Sequence, residues 1–172
     1  FYVLMSGIEI ERKFVVSPLS NYKELAFSHS RVKQGYMPCL TATVRVRTKG
    51  QQAFLTIKGK ATNNGLSRYE FEKEITLNEA ENLLKLCTGG LIDKTRYLVK
   101  SGEHTFEVDE FYGDNEGLVM AEVELSSVDE AFVKPSFVGK EVTGDQRFYN
   151  SHLLVNPYRS WKEEFENSLT RQ

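Results

Sequence analysis

The chain has 172 residues, a length that predicts one domain spanning residues 1–172. Its 22 Lys and Arg residues and 24 Asp and Glu residues leave a net charge of −2, which excludes a generally basic nucleic-acid-binding protein. A hydrophobic fraction of 40% excludes a disordered chain, so a packed core is expected.

Cysteine usage and hydropathy indicate the compartment. Cys39 and Cys87 form no C-x-x-C motif, a usage typical of free thiols rather than of a disulfide-rich scaffold or a structural zinc site. No apolar run reaches the roughly 20 residues that a membrane span needs. Met5 is a candidate natural start, which would place residues 1–4 upstream of it. We expect a soluble, cytoplasmic enzyme or binding module with no membrane partner.

Alternation of polar and apolar residues predicts strands through most of the first half. Ser17-Pro18 interrupts them and opens a short helix that runs to about Ala26. Turns are predicted at Lys49–Gln52 and Asn63–Gly65. The predicted strands are Ile8–Phe14, Arg31–Met37, Thr41–Thr48, Phe54–Lys60 and Ser67–Ile75.

The second half mixes helices and strands. A capping box of Thr76 and Glu79 predicts a helix over Leu77–Thr88 that Gly89-Gly90 would end. Ser160 and Glu163 predict the cap of a last helix with an apolar stripe. The remaining predictions are strands over Leu91–Lys100, His104–Phe111 and Leu118–Ser126, a helix over Gly144–Leu154, and the stripe Trp161, Phe165 and Leu169. The total is eight or nine strands and four helices.

Six of the predicted strands carry charged residues at positions i and i+2, which share one face about 6.5–7 Å apart. A solvated face of an antiparallel sheet would explain any one of these strands. Like charges repel, and more strongly when they are partly enclosed, so six such strands together indicate a ligand that neutralises them. The sets are Glu9/Glu11, Arg45/Arg47, Lys58/Lys60, Glu70/Glu72/Glu74, Lys94/Arg96 and Glu122/Glu124.

The two signs of charge favour two kinds of ligand. Carboxylate pairs suit a hard divalent cation. Basic pairs suit an anion of high charge density, because the Arg guanidinium forks onto phosphate oxygens. Together they predict a site for a metal-bound polyphosphate. A closed barrel with a charged, hydrated interior, and with helices over its apolar outer face, would bring the pairs together.

Several motifs then resemble one family. Glu9-Ile10-Glu11-Arg12-Lys13 resembles the E-x-E-x-K signature of the CYTH superfamily, also called triphosphate tunnel metalloenzymes. The resemblance spans about residues 7–158, with departures at Phe106, where Trp is expected, and at Gln146 and Phe148. Further motifs in the family's order are Arg45-Val46-Arg47, Thr56-Ile57-Lys58-Gly59, Arg68-Tyr69-Glu70-Phe71-Glu72, Lys94-Thr95-Arg96-Tyr97, Val108-Asp109-Glu110-Phe111 and Ala121-Glu122-Val123-Glu124-Leu125.

This resemblance implies an α+β, mainly β fold: a closed eight-stranded antiparallel β-barrel that forms a tunnel, with flanking helices. A C-terminal helix within residues 158–172 would pack on the barrel and close one tunnel mouth. The implied cofactor is Mg²⁺ or Mn²⁺, and the implied partner is a small molecule that contains a triphosphate.

The resemblance also assigns site residues by position. The implied metal ligands are Glu9, Glu11, Asp109, Glu122 and Glu124. The implied substrate-binding residues are Lys13, Arg45, Arg47, Lys58, Lys60, Lys94 and Arg96. Glu122, Glu124 and Lys94 are the implied catalytic residues, one of the two glutamates positioning the attacking water. Glu70 and Glu72 either join the site or only hold basic residues in place.

The overall pattern is most similar to the short bacterial triphosphatases, which implies hydrolysis of tripolyphosphate to pyrophosphate and phosphate. Alternatives within the family are a class IV-type adenylate cyclase and a hydrolase of an organic triphosphate, such as a nucleotide or thiamine triphosphate. Outside enzymes, the alternatives are a polyphosphate-binding module and a structural protein with a polar lumen. A homodimer is a further expectation, because the outer strand faces are apolar.

Overall fold

A computed structural model describes residues 8–171. The predictions for residues 1–4 and Met5 therefore concern positions outside the described range. Within that range, no helix is long and apolar enough to cross a membrane.

Strands dominate the described chain, as the alternation predicts. The strands are β1 (Ile8–Val16), β2 (Ser28–Met37), β3 (Thr43–Lys49), β4 (Gln52–Lys58), β5 (Ser67–Ile75), β6 (Thr88–Ser101), β7 (His104–Phe111), β8 (Val119–Glu124) and β9 (Val138–Glu141). The helices are α1 (Tyr22–Leu25), α2 (Leu77–Leu84), α3 (Asn150–Val155) and α4 (Lys162–Thr170). Single 3₁₀ turns occupy Gly113–Asn115, Gln146–Phe148 and Tyr158–Ser160.

Strand β1 closes the sheet into a barrel. The strand order is β5-β4-β3-β2-β6-β7-β8-β1-β9, and β1 also pairs with β5. Its residues Ile8–Ile10 pair with β5 and its residues Glu11–Val15 pair with β8, both antiparallel. The predicted closed eight-stranded antiparallel barrel is confirmed, and β9 is an additional short strand that the sequence analysis did not predict.

Apolar clusters cover two parts of the outer face. One cluster packs Tyr22 of α1 and Phe137 against the outward residues of β7 and β8. In the other, Ala80 of α2 lies on Val46 and Ala53. Both clusters use the strand positions that alternate with the charged ones, so the charged side chains are directed to the interior.

The interior itself changes character along the barrel. Val15, Ile92, Phe111 and Met120 share the inward face with the charged residues, yet they belong to an apolar cluster with residues of the C-terminal region. The C-terminal members are Phe148, Leu153, Tyr158, Trp161 and Phe165. This cluster closes one end of the barrel, and we call it the apolar plug. The charged lining that the sequence predicts is therefore confined to the rest of the interior.

The Gly89-Gly90 pair does not end a helix, contrary to prediction. Helix α2 already ends at Leu84, and both glycines lie within β6 with φ of +80° and +87°. Between Gln34 and Tyr36 the pairing of β2 with β6 shifts register, because Ile92 faces Gln34 while Thr88 faces Tyr36. The glycines supply the left-handed backbone that this β-bulge requires.

The predicted helix over Gly144–Leu154 is broken. Asp145 accepts a hydrogen bond from the backbone N–H of Arg147 and caps the 3₁₀ turn Gln146–Phe148. Tyr149 then adopts an extended conformation, and α3 begins at Asn150. The break directs Tyr149 and Asn150 toward the barrel interior.

Two other helix starts also differ from prediction. The Ser17-Pro18 segment forms a turn rather than a helix, because the hydroxyl of Ser20 donates to the carbonyl of Ser17, and α1 is only four residues long. Ser160 does not cap the last helix. Its hydroxyl donates to the Pro157 carbonyl instead, and α4 begins at Lys162.

Candidate active site

A cleft lies inside the barrel next to the apolar plug, and its volume is about 480 Å³ when the open solvent at its mouth is included. Its lining is dominated by basic side chains from five different strands. The basic residues are Lys13, Arg45, Lys58, Arg68, Lys94 and Arg96. The remaining lining residues are Glu11, Glu122, Tyr36, Thr43, Tyr149, Asn150 and Ser151.

Lys13 and Glu122 form one ion pair in the cleft. The Nζ atom of Lys13 lies 3.3 Å from Oε1 of Glu122, consistent with the β1–β8 register that places the two residues opposite each other. Burial favours the neutral acid of Glu122, but the cations Lys13, Arg96 and Lys94 hold its pKa well below its usual range. Glu122 is therefore a permanent negative charge at neutral pH.

Glu9 is held by two cations from β4 and β5. Lys58 Nζ donates to both carboxylate oxygens of Glu9, at 2.9 and 2.8 Å. Arg68 Nε donates to Oε2 of Glu9 at 3.3 Å, and Arg68 Nη2 lies 3.9 Å from Oε1 of Glu11. Arg68 thus connects both glutamates of the E-x-E-x-K motif.

Asp109 is shared by two cations of β6. It accepts from Lys94 Nζ at 2.7 Å and from Arg96 Nε and Nη2 at 2.7 and 2.8 Å. Asp109 and Lys94 are each only 1% exposed. Burial, opposed in part by Asp109, lowers the pKa of Lys94 to about 8. The contacts of Asp109 are those of a residue that holds Lys94 and Arg96 in place.

The side of the cleft formed by β3 has a surplus of positive charge. Within residues 8–171, the buried Nε atoms of Arg45 and Arg47 have no hydrogen-bond partner. Burial and the neighbouring charges of Arg45 and Arg96 lower the pKa of Arg47 to about 10. Glu72 is the acidic neighbour of this pair, with Oε1 3.3 Å from Arg47 Nη2 and 3.7 Å from Arg45 Nη2. A buried donor without a partner is costly, so these two guanidinium groups are prepared for an anion.

The opposite side has a surplus of negative charge. Glu11 and Glu124 face each other across the β1–β8 pair. Burial together with Glu122 and Glu9 raises the pKa of Glu11 to about 8. Partial burial together with Glu9 and Glu107 raises the pKa of Glu124, at the rim of the cleft, to about 7.

Hard carboxylate oxygens under mutual repulsion fit a divalent cation in chemistry and in charge. Among the described residues, however, no three His, Cys, Asp or Glu side chains are already gathered at metal-binding distance. The donor set therefore suits the ion, while Glu9 and Glu122 are held by Lys58 and Lys13, and Glu11 lies near Arg68, in this conformation.

The structure brings together most of the residues that the sequence analysis selected. Four of the selected residues lie inside the barrel or at its rim without being part of the cleft lining: Arg47, Glu9, Asp109 and Glu124. Lys60 is the exception: it lies beyond the end of β4, its side chain is exposed, and it is not part of the lining. Thr56 Oγ1 donates to Glu72 Oε1 at 2.9 Å, so Glu72 organises the β3–β5 side of the site.

Several lining residues were missed as site residues. Arg68 lies two positions before Glu70 on β5, and the same alternation that selected Glu70 and Glu72 could have selected it. Tyr149 and Asn150 fall within the predicted helix over Gly144–Leu154, and that prediction shows neither the break nor the direction of these side chains. No local signal in the sequence marks them.

The closed barrel has a charged interior cleft that is open at one end only. These features define a class of β-barrel proteins that bind anions inside the barrel. The CYTH domain model matches residues 7–149, and the chain belongs to the CYTH family. The family resemblance stated from the motifs is thereby confirmed. Membership of this family indicates a requirement for a divalent metal.

Two relatives and one solved structure extend this result. The inorganic triphosphatase of Acetivibrio thermocellus is 46% identical over 159 residues, covering 91% of this chain and 99% of that protein. The inorganic triphosphatase of Nitrosomonas europaea is 36% identical over 153 residues, covering 86% and 97%. The crystal structure of an inorganic triphosphatase superposes with a TM-score of 0.60 at 32% identity, covering 86% of this chain and 94% of that one.

Proposed function

We propose that this protein hydrolyses inorganic triphosphate to pyrophosphate and phosphate inside the barrel, with Mg²⁺ or Mn²⁺ as cofactor. The observation that supports this proposal most strongly is the composition of the cleft, whose lining has six basic side chains and only two acidic ones. Among the described residues, the buried Nε atoms of Arg45 and Arg47 have no hydrogen-bond partner, which supports an anionic ligand. The two relatives named inorganic triphosphatase, which align over most of this chain, support the choice of substrate.

The basic residues bind and orient the substrate. Phosphoryl transfer requires that charge on the transferring and leaving groups be neutralised by groups already in place. Arg45 and Arg47 donate to phosphate oxygens from β3. Lys13, Lys58, Lys94 and Arg96 contribute from β1, β4 and β6. Lys60 is exposed and makes at most a peripheral contribution.

The metal would be held by the carboxylates on the β1–β8 side. Glu11 and Glu122 are the first choice, Glu9 joins them if Lys58 is drawn away by the substrate, and Glu124 stays free of the ion to act as a base. Asp109 is a weaker ligand in this scheme, because Lys94 and Arg96 already use both of its oxygens. When bound, the cation supplies charge neutralisation on the triphosphate.

Glu124 is the better of the two candidate bases. A general base works best with a pKa near the working pH, and the pKa of Glu124 is raised to about 7. The carboxylate of Glu122 is instead held by Lys13 with a lowered pKa. We therefore propose that the carboxylate of Glu124 is the general base that accepts a proton from the attacking water. Glu122 remains a charged ligand that orients Lys13.

We further propose that the protein acts in the cytoplasm. Among the described residues, Cys39 and Cys87 are both free thiols, which suits a reducing compartment.

The test is phosphate release from tripolyphosphate and, in parallel, from ATP, with Mg²⁺, Mn²⁺ or EDTA. Metal-dependent release from tripolyphosphate with little from ATP is the expected result. Formation of cyclic AMP and pyrophosphate from ATP would replace the proposal by the cyclase. No turnover of either would leave an organic triphosphate or mere binding.

Arg45→Gln tests the role of the cleft. It removes a guanidinium aimed at the substrate and should lower kcat/KM on tripolyphosphate by about 10²–10³-fold. Lys100→Gln is the matched control, because Lys100 is exposed on β6. Equal activity of both variants would contradict the assignment.

Glu11→Gln separates a hydrolase from a binding module. A metal-dependent hydrolase should lose turnover, whereas a module that only binds polyphosphate should keep or gain affinity, because an anion binder needs no carboxylate at this position. Affinity for tripolyphosphate is measured by calorimetry beside the rate.

A further inference from the structure

The segment Phe148–Asn150, between the plug and the barrel, contacts lysines of the cleft. Lys13 Nζ donates to the carbonyl oxygen of Phe148 at 3.4 Å and lies 5.2 Å from the centre of the Tyr149 ring. Lys94 Nζ donates to Oδ1 of Asn150 at 3.0 Å. A segment outside the barrel strands therefore helps to place two of the cations inside it.

The oxygen of Asn150 is fixed from a second side. Gln34 of β2 is completely buried, and its Nε2 atom donates to Asn150 Oδ1 at 3.2 Å and to the Tyr36 hydroxyl at 2.6 Å. Oδ1 thus accepts from Gln34 and from Lys94 at once. This arrangement defines which end of the amide faces the lysine.

The contacts of Lys94 leave one of its N–H donors for a ligand. An ammonium group has three N–H donors. Asp109 and Asn150 take one each, at 2.7 and 3.0 Å. Because Lys94 lines the cleft, the third donor remains for a ligand there.

We propose that Asn150, held by Gln34, is a positioning residue that aims Lys94 at the substrate. The inference rests on the proposed triphosphatase function and deepens it. It concerns a residue beyond the match to the CYTH domain, which ends at Tyr149. In this arrangement α3 contributes to catalysis through its first residue, and the plug and the active site are one connected structure.

Asn150→Ala removes the acceptor while Asp109 still holds Lys94 in the cleft. We expect kcat on tripolyphosphate to fall about 10- to 100-fold, the size of effect that a small misplacement of a catalytic group produces. KM should change by less than about threefold, because the charge that binds the substrate is kept. Asn150→Asp retains an oxygen acceptor at the same position and should restore most of kcat.

A double-mutant cycle separates positioning from general support of the fold. If Asn150 acts through Lys94, Asn150→Ala should have no further effect on kcat in a Lys94→Gln background. Additive losses would overturn the proposal. So would a kcat of Asn150→Ala within about twofold of the unchanged protein.

Val155→Ala is the control on the same helix, because Val155 is exposed at the end of α3. It should match the unchanged protein in kcat and in Tm. If Asn150→Ala does not fold, as judged by its thermal transition, the cycle is run with Asn150→Ser instead.

The failure of this inference is distinguishable from failure of the proposed function. An unchanged protein that releases no phosphate from tripolyphosphate contradicts the function. Positioning is then measured as the Lys94 Cε chemical shift in protein saturated with tripolyphosphate: Asn150→Ala should change it and Val155→Ala should not, and an unchanged shift in Asn150→Ala would overturn the positioning role.

Discussion

Individual charges inside the barrel differ in how well a neighbour compensates them. Lys58 is matched by Glu9, and Lys94 and Arg96 by Asp109. The Nε atoms of Arg45 and Arg47 have no partner within residues 8–171, and burial and neighbouring carboxylates raise the pKa of Glu11. A metal-bound triphosphate would satisfy both kinds of unmatched group: its phosphate oxygens would accept from the arginines of β3, and its metal ion would be bound by the glutamate of β1.

The raised pKa of Glu11 predicts a pH dependence of stability. Between its ordinary value of 4.5 and about 8, the folded state binds more protons at this position than the unfolded state. The contribution of Glu11 to the free energy of unfolding therefore falls as pH rises through this window and is constant above it. We expect urea unfolding in EDTA to show a stability gain of Glu11→Gln that grows between about pH 5 and about pH 9. A gain that is independent of pH would contradict the raised pKa.

Replacing Asp109 should lower the free energy of unfolding. Asp109→Ala leaves Lys94 and Arg96 buried without their shared carboxylate, and breaking a buried pair costs about 3–5 kcal/mol. Urea unfolding should show this loss even without metal. Asp114→Ala, at an exposed surface pair with Arg159, is the control and should cost less than about 1 kcal/mol. A loss seen only when metal is present would instead favour Asp109 as a metal ligand.

At the scale of elements, two loops contact each other through their backbones. A Cβ atom added at Gly144 would overlap the carbonyl oxygen of Asn64, and one added at Gly65 would overlap Cα of Gly144. The loop between β4 and β5 therefore rests directly on the segment that leads to Tyr149 and Asn150. Since that segment closes the cleft, the fit of these two loops sets the position of the plug.

Gly144→Ala should disturb this contact. Gly144 has a φ of +78°, so Ala adds backbone strain as well as overlap with Asn64. We expect a loss of about 2–4 kcal/mol in the free energy of unfolding, from strain and overpacking together. Gly113→Ala is the matched control: its φ is +65° and an added Cβ would contact nothing within 4 Å. The two variants should differ by the cost of the overlap, and equal losses would show that the loops adjust freely.

At the scale of the whole molecule, the barrel has a closed and an open end. β1 completes the ring by pairing with β8 along one half and with β5 along the other. Phe148, Trp161 and Phe165 fill one end, which leaves the other end as the route for substrate and products in the proposed function. Within residues 8–171, no helix lies over one outer face, and there Tyr69 and Phe71 of β5 are 56% and 45% exposed.

This uncovered face is where the expected homodimer would form. Burying aromatic side chains from both copies would remove apolar surface from water. Sedimentation equilibrium should show a dimer, and Phe71→Glu should shift it to monomer without loss of activity per chain. A monomer at all concentrations of the unchanged protein would contradict the expectation. The single-domain organisation over residues 1–172 likewise stays a prediction.

The sequence predicted the barrel better than its helices. β5 and β7 were predicted with their observed bounds, because strand alternation is a local pattern with a period of two. The prediction of a continuous helix over Gly144–Leu154 was wrong, and so was the prediction that Gly89-Gly90 ends a helix. In both cases the deciding contact comes from a distant part of the chain: the β2 register at Gln34 and Tyr36, and the β4–β5 loop at Gly144.

The amino-acid sequence by itself determined which side chains share the inner face, because that follows from the period of a strand. It thereby determined the charges on which the proposed function depends, Glu9 and Glu11 as much as Arg45 and Arg47. Only the tertiary structure decided which of these charges find a partner, since Lys58 reaches Glu9, and Lys94 reaches Asn150, across many intervening residues. It also decided that one end of the tunnel is apolar, because closure depends on how the C-terminal region packs against Val15 and Ile92.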